Sequence, residues 1–233
     1  MTSKAALTEM VRGHRHAEAE AALVAKPALI EARDKRGRTW LHLACMVPPA
    51  PGREADSIAT ADLLLGLGLG IDDAAFREGD WMATPLWHAI GLGKNLPLAA
   101  HLIARGANPN FCLFAAAWND DRAAIRLLVG AGAALEERGE GDTPLTWAVR
   151  CGRFGPAEEL LGLGADPDGR DDKGRTALHI MLRQGKDPAP FAMFVAAGAR
   201  GDIADDEGKT VIEILRRKRD PAFHSIAGAL VTG

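Results

Sequence analysis

Chemistry could first be sought at Gly66-Leu67-Gly68-Leu69-Gly70, because a glycine-rich loop can lay backbone N–H groups against a phosphate. A cradle of the dinucleotide type needs a strand before the glycines and a helix opening after them. Here an apolar helical run, Ile58 to Leu65, ends at them, and Leu160-Leu161-Gly162-Leu163-Gly164 repeats the ending. Both read as helix-stopping glycines. His14 and His16 are two apart and would not share a helix face. His88, His101 and His224 have no cysteine or carboxylate at a ligand spacing. Asn119-Asp120-Asp121 opens like a calcium loop but lacks the later ligands, so it reads as the cap of a helix from Arg122 to Leu128. Cys45, Cys112 and Cys151 are too scattered for a disulfide frame and read as reduced core thiols. No Ser/His/Asp or Cys/His set can be assembled from this order. The expectation is no catalytic residue, no metal and no cofactor.

Composition narrows the partners. A net charge of −3 argues against a general polyanion binder, which carries a strongly basic domain, so nucleic acid is not the expected ligand. Met1 to Glu9 holds no apolar core of signal-peptide length, and the longest apolar run, Phe191 to Ala199, is far short of a membrane span. A cytoplasmic monomer without membrane contact is expected. The C-terminal half is locally basic, with Arg150, Arg153, Lys173, Arg175, Arg183 and Arg216 to Arg219. Its acids are Asp202, Asp205, Asp206 and Glu207. That half reads either as a solvated, self-balanced face or as a surface for an acidic protein.

The elements that would position such residues follow from a recurring phrase. Asp171 to His179 reads D-x-x-G-x-T-x-L-H, and Asp34 to His42 reads the same. Worn copies stand at Thr84-Pro85-Leu86, Thr143-Pro144-Leu145 and Asp205 to Thr210, and Phe111 to Ala116 fits a further one. Thr143 to Thr176 spans 33 positions and Thr176 to Thr210 spans 34, whereas Thr39 to Thr84 spans 45 and must hold an insertion. A fixed period of this length marks an array of small helical units. The period and the T-P-L-H-x-A phrase resemble ankyrin repeats over almost the whole chain. The resemblance implies an all-α, ankyrin-type helical-repeat solenoid of six to seven units, each a short finger turn followed by an inner and an outer helix.

On that frame the chain is one domain, residues 1–233: an N-terminal capping unit over 1–33, central repeats over 34–203 and a C-terminal capping unit over 204–233. Helices are expected at Ala5 to Val11 and Ala17 to Ala25, the second burying Ala21, Leu23 and Val24. Val47-Pro48-Pro49-Ala50-Pro51-Gly52 cannot continue a helix and marks the insertion. Ser57 reads as the cap of the next outer helix. Later outer helices are expected to start near Pro156, Pro188 and Pro221, and Arg216 to Arg219 to make the last inner helix polar. The finger before Phe111 is truncated, and Met82 stands where a finger glycine is expected. Each cysteine falls in an expected inner helix.

The resemblance also implies where a partner sits. Finger tips and late inner-helix positions line the concave face of the family. They give Met46, Trp81, Leu92, Trp118, Asn119, Arg150, Lys173, Arg175 and Arg183 as candidate partner-binding residues. Trp81 and Trp118 are the expected anchors, because large surface aromatics are common in binding hot spots. The implied function is non-catalytic protein binding, as an intracellular adaptor or regulator. An immunity-type inhibitor that blocks a toxin or enzyme is an alternative, and an enzyme with a site in the groove is another.

Overall fold

The computed structural model describes residues 3–78, 81–185 and 187–230, with only the backbone of Glu78 and Trp81. It divides into two compact units, residues 1–115 and 116–233. In the first, helices come in pairs: α1 (Lys4–Arg12) with α2 (His16–Ala25), α3 (Trp40–Cys45) with α4 (Glu54–Gly66), and α5 (Pro85–Gly91) with α6 (Leu96–Ala104). α1, α3 and α5 pack side by side as one layer, and α2, α4 and α6 as another. A finger turn precedes α5 and carries a two-residue hairpin, β1 (Arg77–Glu78) and β2 (Trp81–Met82), with Arg77 opposite Met82. α7 (Cys112–Trp118) carries the chain into the second unit. There α8 (Arg122–Gly130) packs on α10 (Phe154–Gly162), and α9 (Pro144–Arg150) on both α10 and α11 (Ala177–Gln184). α12 (Phe191–Ala196) and α13 (Val211–Arg216) pack on α14 (Pro221–Ala229).

The threonines of the phrase are N-caps. Thr84, Thr143 and Thr210 each accept at 3.2 Å from the backbone N–H three residues on, satisfying a donor that the helix start leaves open. The pattern histidine completes the cap. His42 Nδ1 accepts from Thr39 N–H at 3.1 Å and His179 Nδ1 from Thr176 N–H at 3.2 Å. With Nδ1 accepting, Nε2 carries the proton and donates to the next finger: His42 to the Ala83 carbonyl at 3.1 Å, His179 to the Lys209 carbonyl at 3.0 Å. One side chain thus ties a helix start to the following turn. Burial disfavours the imidazolium, and with the charge of His88 it lowers the His42 pKa to about 4. The pattern leucines Leu41, Leu86, Leu145 and Leu178 are buried against adjacent helices.

Gly37 shows why the finger phrase needs glycine. Its φ is +76°, and a Cβ there would sit 2.7 Å from the Ala75 carbonyl of the next finger. The helix-ending glycines are confirmed at Gly68 and Gly164, with φ of +94° and +97°.

Some local expectations need correction. On α2 the buried stripe is Ala19, Ala22 and Leu23. Ala21 is exposed and Val24 is 74% exposed, because the inward stripe follows i, i+3, i+4 and Val24 lies about a quarter-turn beyond it. Ser57 is not a cap. α4 starts at Glu54, where Glu54 and Asp56 suit the positive end of the helix dipole. Ser57 is buried in its first turn, donating to the Glu54 carbonyl at 2.7 Å and accepting from Asn95 Nδ2 at 2.9 Å. The non-helical insertion is therefore 47–53, none of it buried. Pro156 falls inside the first turn of α10, and α12 starts after Pro190 rather than near Pro188. α13 ends at Arg216, so 217–219 lie beyond it, and Cys151 follows α9 half-buried as its C-cap.

Candidate functional site

Two positions of the phrase meet in two of the repeats: the residue before the threonine and the residue seven after it. In the first unit these are Arg38 and Met46, and Arg38 Nη1 donates to Met46 Sδ at 3.0 Å. In the second unit they are Asp142 and Arg150, Arg175 and Arg183, and Lys209 and Arg217. Trp118, seven after Phe111, takes the later position before α8.

Asp171 organises the middle of this face. Its Oδ1 accepts from the backbone N–H of Lys173 and of Arg175, both at 2.9 Å, which folds the finger. Its Oδ2 accepts from Arg175 Nε at 2.8 Å and Nη2 at 2.5 Å, and from Arg150 Nη2 at 2.9 Å. Arg150 also grips Asp142 through Nε at 2.7 Å and Nη2 at 2.8 Å. Burial pushes the Asp171 carboxyl up, but Arg175, the two backbone donors and Arg150 outweigh it and hold its pKa at about 2. The hydrogen bonds it donates to Asp142 chiefly push the Arg150 guanidinium upward. Asp205 repeats the turn, accepting from the N–H of Glu207 and Lys209 at 3.0 Å.

Arg183 is placed differently. It is exposed in the last turn of α11, and the residue before the threonine of its repeat is Arg175, held by Asp171. With His179, Asp205, Glu207, Lys209, Ile214, Arg217 and Lys218 it lines a cavity of about 440 Å³. Among the described residues, Arg183, Arg217 and Lys218 form no salt bridge, while Lys209 pairs with Glu207 at 2.6 Å.

The aromatic end of the face is Trp118, 55% exposed, with its ring 6.3 Å from that of Trp147, tilted by 32°. Such a pair is held by apolar contact and leaves one broad ring face to solvent. Asn119, next to it, is half-buried, and Lys173 is an exposed finger tip whose carbonyl accepts from Asp206 N–H at 3.2 Å. In the first unit Met46 is half-buried and Leu92 is 46% exposed. The side chain of Trp81 and the whole of Asp80 lie outside the described residues. The structure therefore gathers Trp118, Arg150, Lys173, Arg175 and Arg183 on the finger and inner-helix elements of the second unit. Met46 and Leu92 stand on those of the first. Sequence reading missed Trp147 and Lys209 as site residues, and named Arg217 and Lys218 only within a general basic surface. The signal that finds Arg217 is register, since it stands seven after Thr210 as Arg183 does after Thr176. His101, thought to be without a partner, meets Asp62 at 2.8 Å, a pairing between successive outer helices.

Residues 86–171 and 113–189 match the family model of ankyrin repeats in three copies. The human ASB11 ankyrin repeat domain superposes with a TM-score of 0.73 at 19% identity, covering 97% of this chain and 98% of that one. The ankyrin repeat domain of Bcl-3 superposes with 0.74 at 18% identity, covering 94% and 96%. The chain carries ankyrin repeats over 86–189 and has the fold of an ankyrin repeat domain. An ankyrin repeat domain from Acinetobacter baumannii superposes with 0.64 at 21% identity, covering 85% and 100%. Among curated proteins, human inversin is 34% identical over 87 residues, 36% of this chain and 8% of inversin. The palmitoyltransferase AKR1 of Kluyveromyces lactis is 42% identical over 66 residues, 28% and 9%. The chain thus spans less than a tenth of the length of these relatives, and the likeness is one of repeats. Ankyrin repeats are protein-binding modules, typically without enzymatic activity. No helix among the described residues is long and apolar enough to cross a membrane, and no group of three His, Cys, Asp or Glu there could hold a metal ion.

Proposed function

We propose that this protein is an adaptor or regulator that binds a partner protein through the finger and inner-helix face of its second unit. Trp118 is the anchor. The observation that carries the reading is its 55% exposure beside Trp147. A large ring held by a neighbour loses little freedom on binding and removes much apolar area from water. Arg150, held by Asp142 and Asp171, offers a fixed polar flank, and Arg183 offers an exposed one. A rigid repeat face limits the ordering cost of association.

The test is Trp118→Ala. It should weaken partner binding by about 2 kcal/mol or more while the thermal midpoint moves little, because the ring is more than half exposed. Normal binding by this variant would place the partner elsewhere.

A further inference from the structure

Arg150 shows what an arginine seven after the threonine does when its own finger offers an acid: it folds onto Asp142 with two bonds. In the next two repeats the acid before the threonine is replaced by a cation, Arg175 in the repeat of Arg183 and Lys209 in the repeat of Arg217. Five other arginines of the second unit find carboxylates: Arg122 and Arg126 on Glu159, Arg138 on Asp172, Arg170 on Asp206 and Arg200 on Asp202. Arg153, Arg216 and Arg219 form no salt bridge among the described residues and do not line the cavity. Arg183, Arg217 and Lys218 form no such pair among the described residues, and they line one cavity. The nearby acids have other partners: Asp205 Oδ1 accepts from two backbone donors, Glu207 pairs with Lys209, and Glu213, four before Arg217, accepts from the Thr210 N–H at 3.1 Å.

We propose that this cavity binds the carboxylates of an acidic, glutamate-rich segment of the partner. The proposal rests on the protein-binding reading above and supplies the partner's chemistry. An incoming carboxylate takes the place that Asp142 occupies beside Arg150, bridging Arg183 and Arg217, while Lys218, whose Nζ lies 5.7 Å from the centre of the Phe223 ring, adds positive charge to the lining. Guanidinium groups suit this role, since their paired N–H donors match a carboxylate. Ile214 gives an apolar wall for a methylene stem. About 440 Å³ is within the range of clefts that hold ligand groups, ~300–1,000 Å³.

The probe is an acetylated, fluorescein-labelled octapeptide alternating Glu with Gly or Ser, read by fluorescence anisotropy on the full chain. Its Gln counterpart and a phosphothreonine peptide of equal length are the other arms. The Glu peptide should bind and the Gln peptide should not. Arg183→Glu and Arg217→Glu should each weaken the Glu peptide by about tenfold, and Arg216→Glu by less than about twofold. Lys209→Asp, which restores the acid of the earlier repeat, should give Arg217 an internal partner and abolish peptide binding without loss of thermal stability. No binding of the Glu peptide, equal losses in Arg216→Glu and Arg217→Glu, or a tenfold preference for the phosphopeptide would each overturn the proposal. If Trp118→Ala still abolishes binding of the partner while the Glu peptide ignores the cavity, this inference alone fails.

Discussion

Asp171→Asn removes a charge that three guanidinium donors share. The Asp171 side chain is 3% exposed and that of Arg175 is 12% exposed, so the pair is screened little by water. Asparagine can keep its oxygen on the N–H groups of Lys173 and Arg175. Its amide nitrogen would then point donors at Arg150 and Arg175. Breaking a buried pair costs about 3–5 kcal/mol because the remaining charge stays uncompensated. Arg150 keeps Asp142 and is 32% exposed, which recovers part of the loss. The expected cost is therefore about 3 kcal/mol, or roughly 6–12 °C in thermal midpoint for a chain of this size. Circular-dichroism urea and heat melts measure it directly. The pH dependence adds a second check. The folded carboxyl titrates at about 2, below the unfolded value, so the stability it contributes is fully present above ~4 and lost as pH falls toward 2. Asp171→Asn should flatten the melts over that window. A change below about 1 kcal/mol, or an unaltered acid limb, would refute the claim that this carboxylate joins the two fingers.

Leu178→Ala should cost about 2–5 kcal/mol in urea melts, since Leu178 is fully buried between helices. An unchanged midpoint would mean the interior is not packed as described. His42 stays neutral when folded because burial lowers its pKa to about 4, so stability should fall as pH drops from ~6.5 to 4. His42→Gln should blunt that fall. Replacing residues 47–53 by a short turn should leave the first unit folded, since none of them is buried. Loss of its melting transition would contradict this.

The fold was legible because the phrase carries its own chemistry. A threonine that caps, a histidine that bridges to the next finger and a leucine that packs are each fixed by one local requirement, so counting them locates the helices. The insertion was legible for the same reason, through its prolines. What the sequence hid depended on which neighbour a side chain meets. Arg150 and Arg183 look alike in sequence, yet one is held by Asp142 and Asp171 and the other is not. The difference lies in the residue before the threonine, eight positions away. Val24 was misplaced because a short alanine-rich helix offers almost no periodic contrast. The hairpin at Arg77 to Met82 has no strong strand signal beyond the departure of Met82 from the finger pattern.

The central claim is that a partner protein seats on the face carrying Trp118. A benzophenone-bearing photo-crosslinking amino acid placed at Trp118, which keeps a large aromatic ring at the anchor, compared with the same residue at the exposed outer-helix position Glu158, tests it most directly in cells of the native host. Capture at 118 of a defined protein that position 158 does not capture, and loss of that capture in the Arg183→Glu background, is the expected result. Equal labelling from both positions, or capture at 158 alone, would contradict the account.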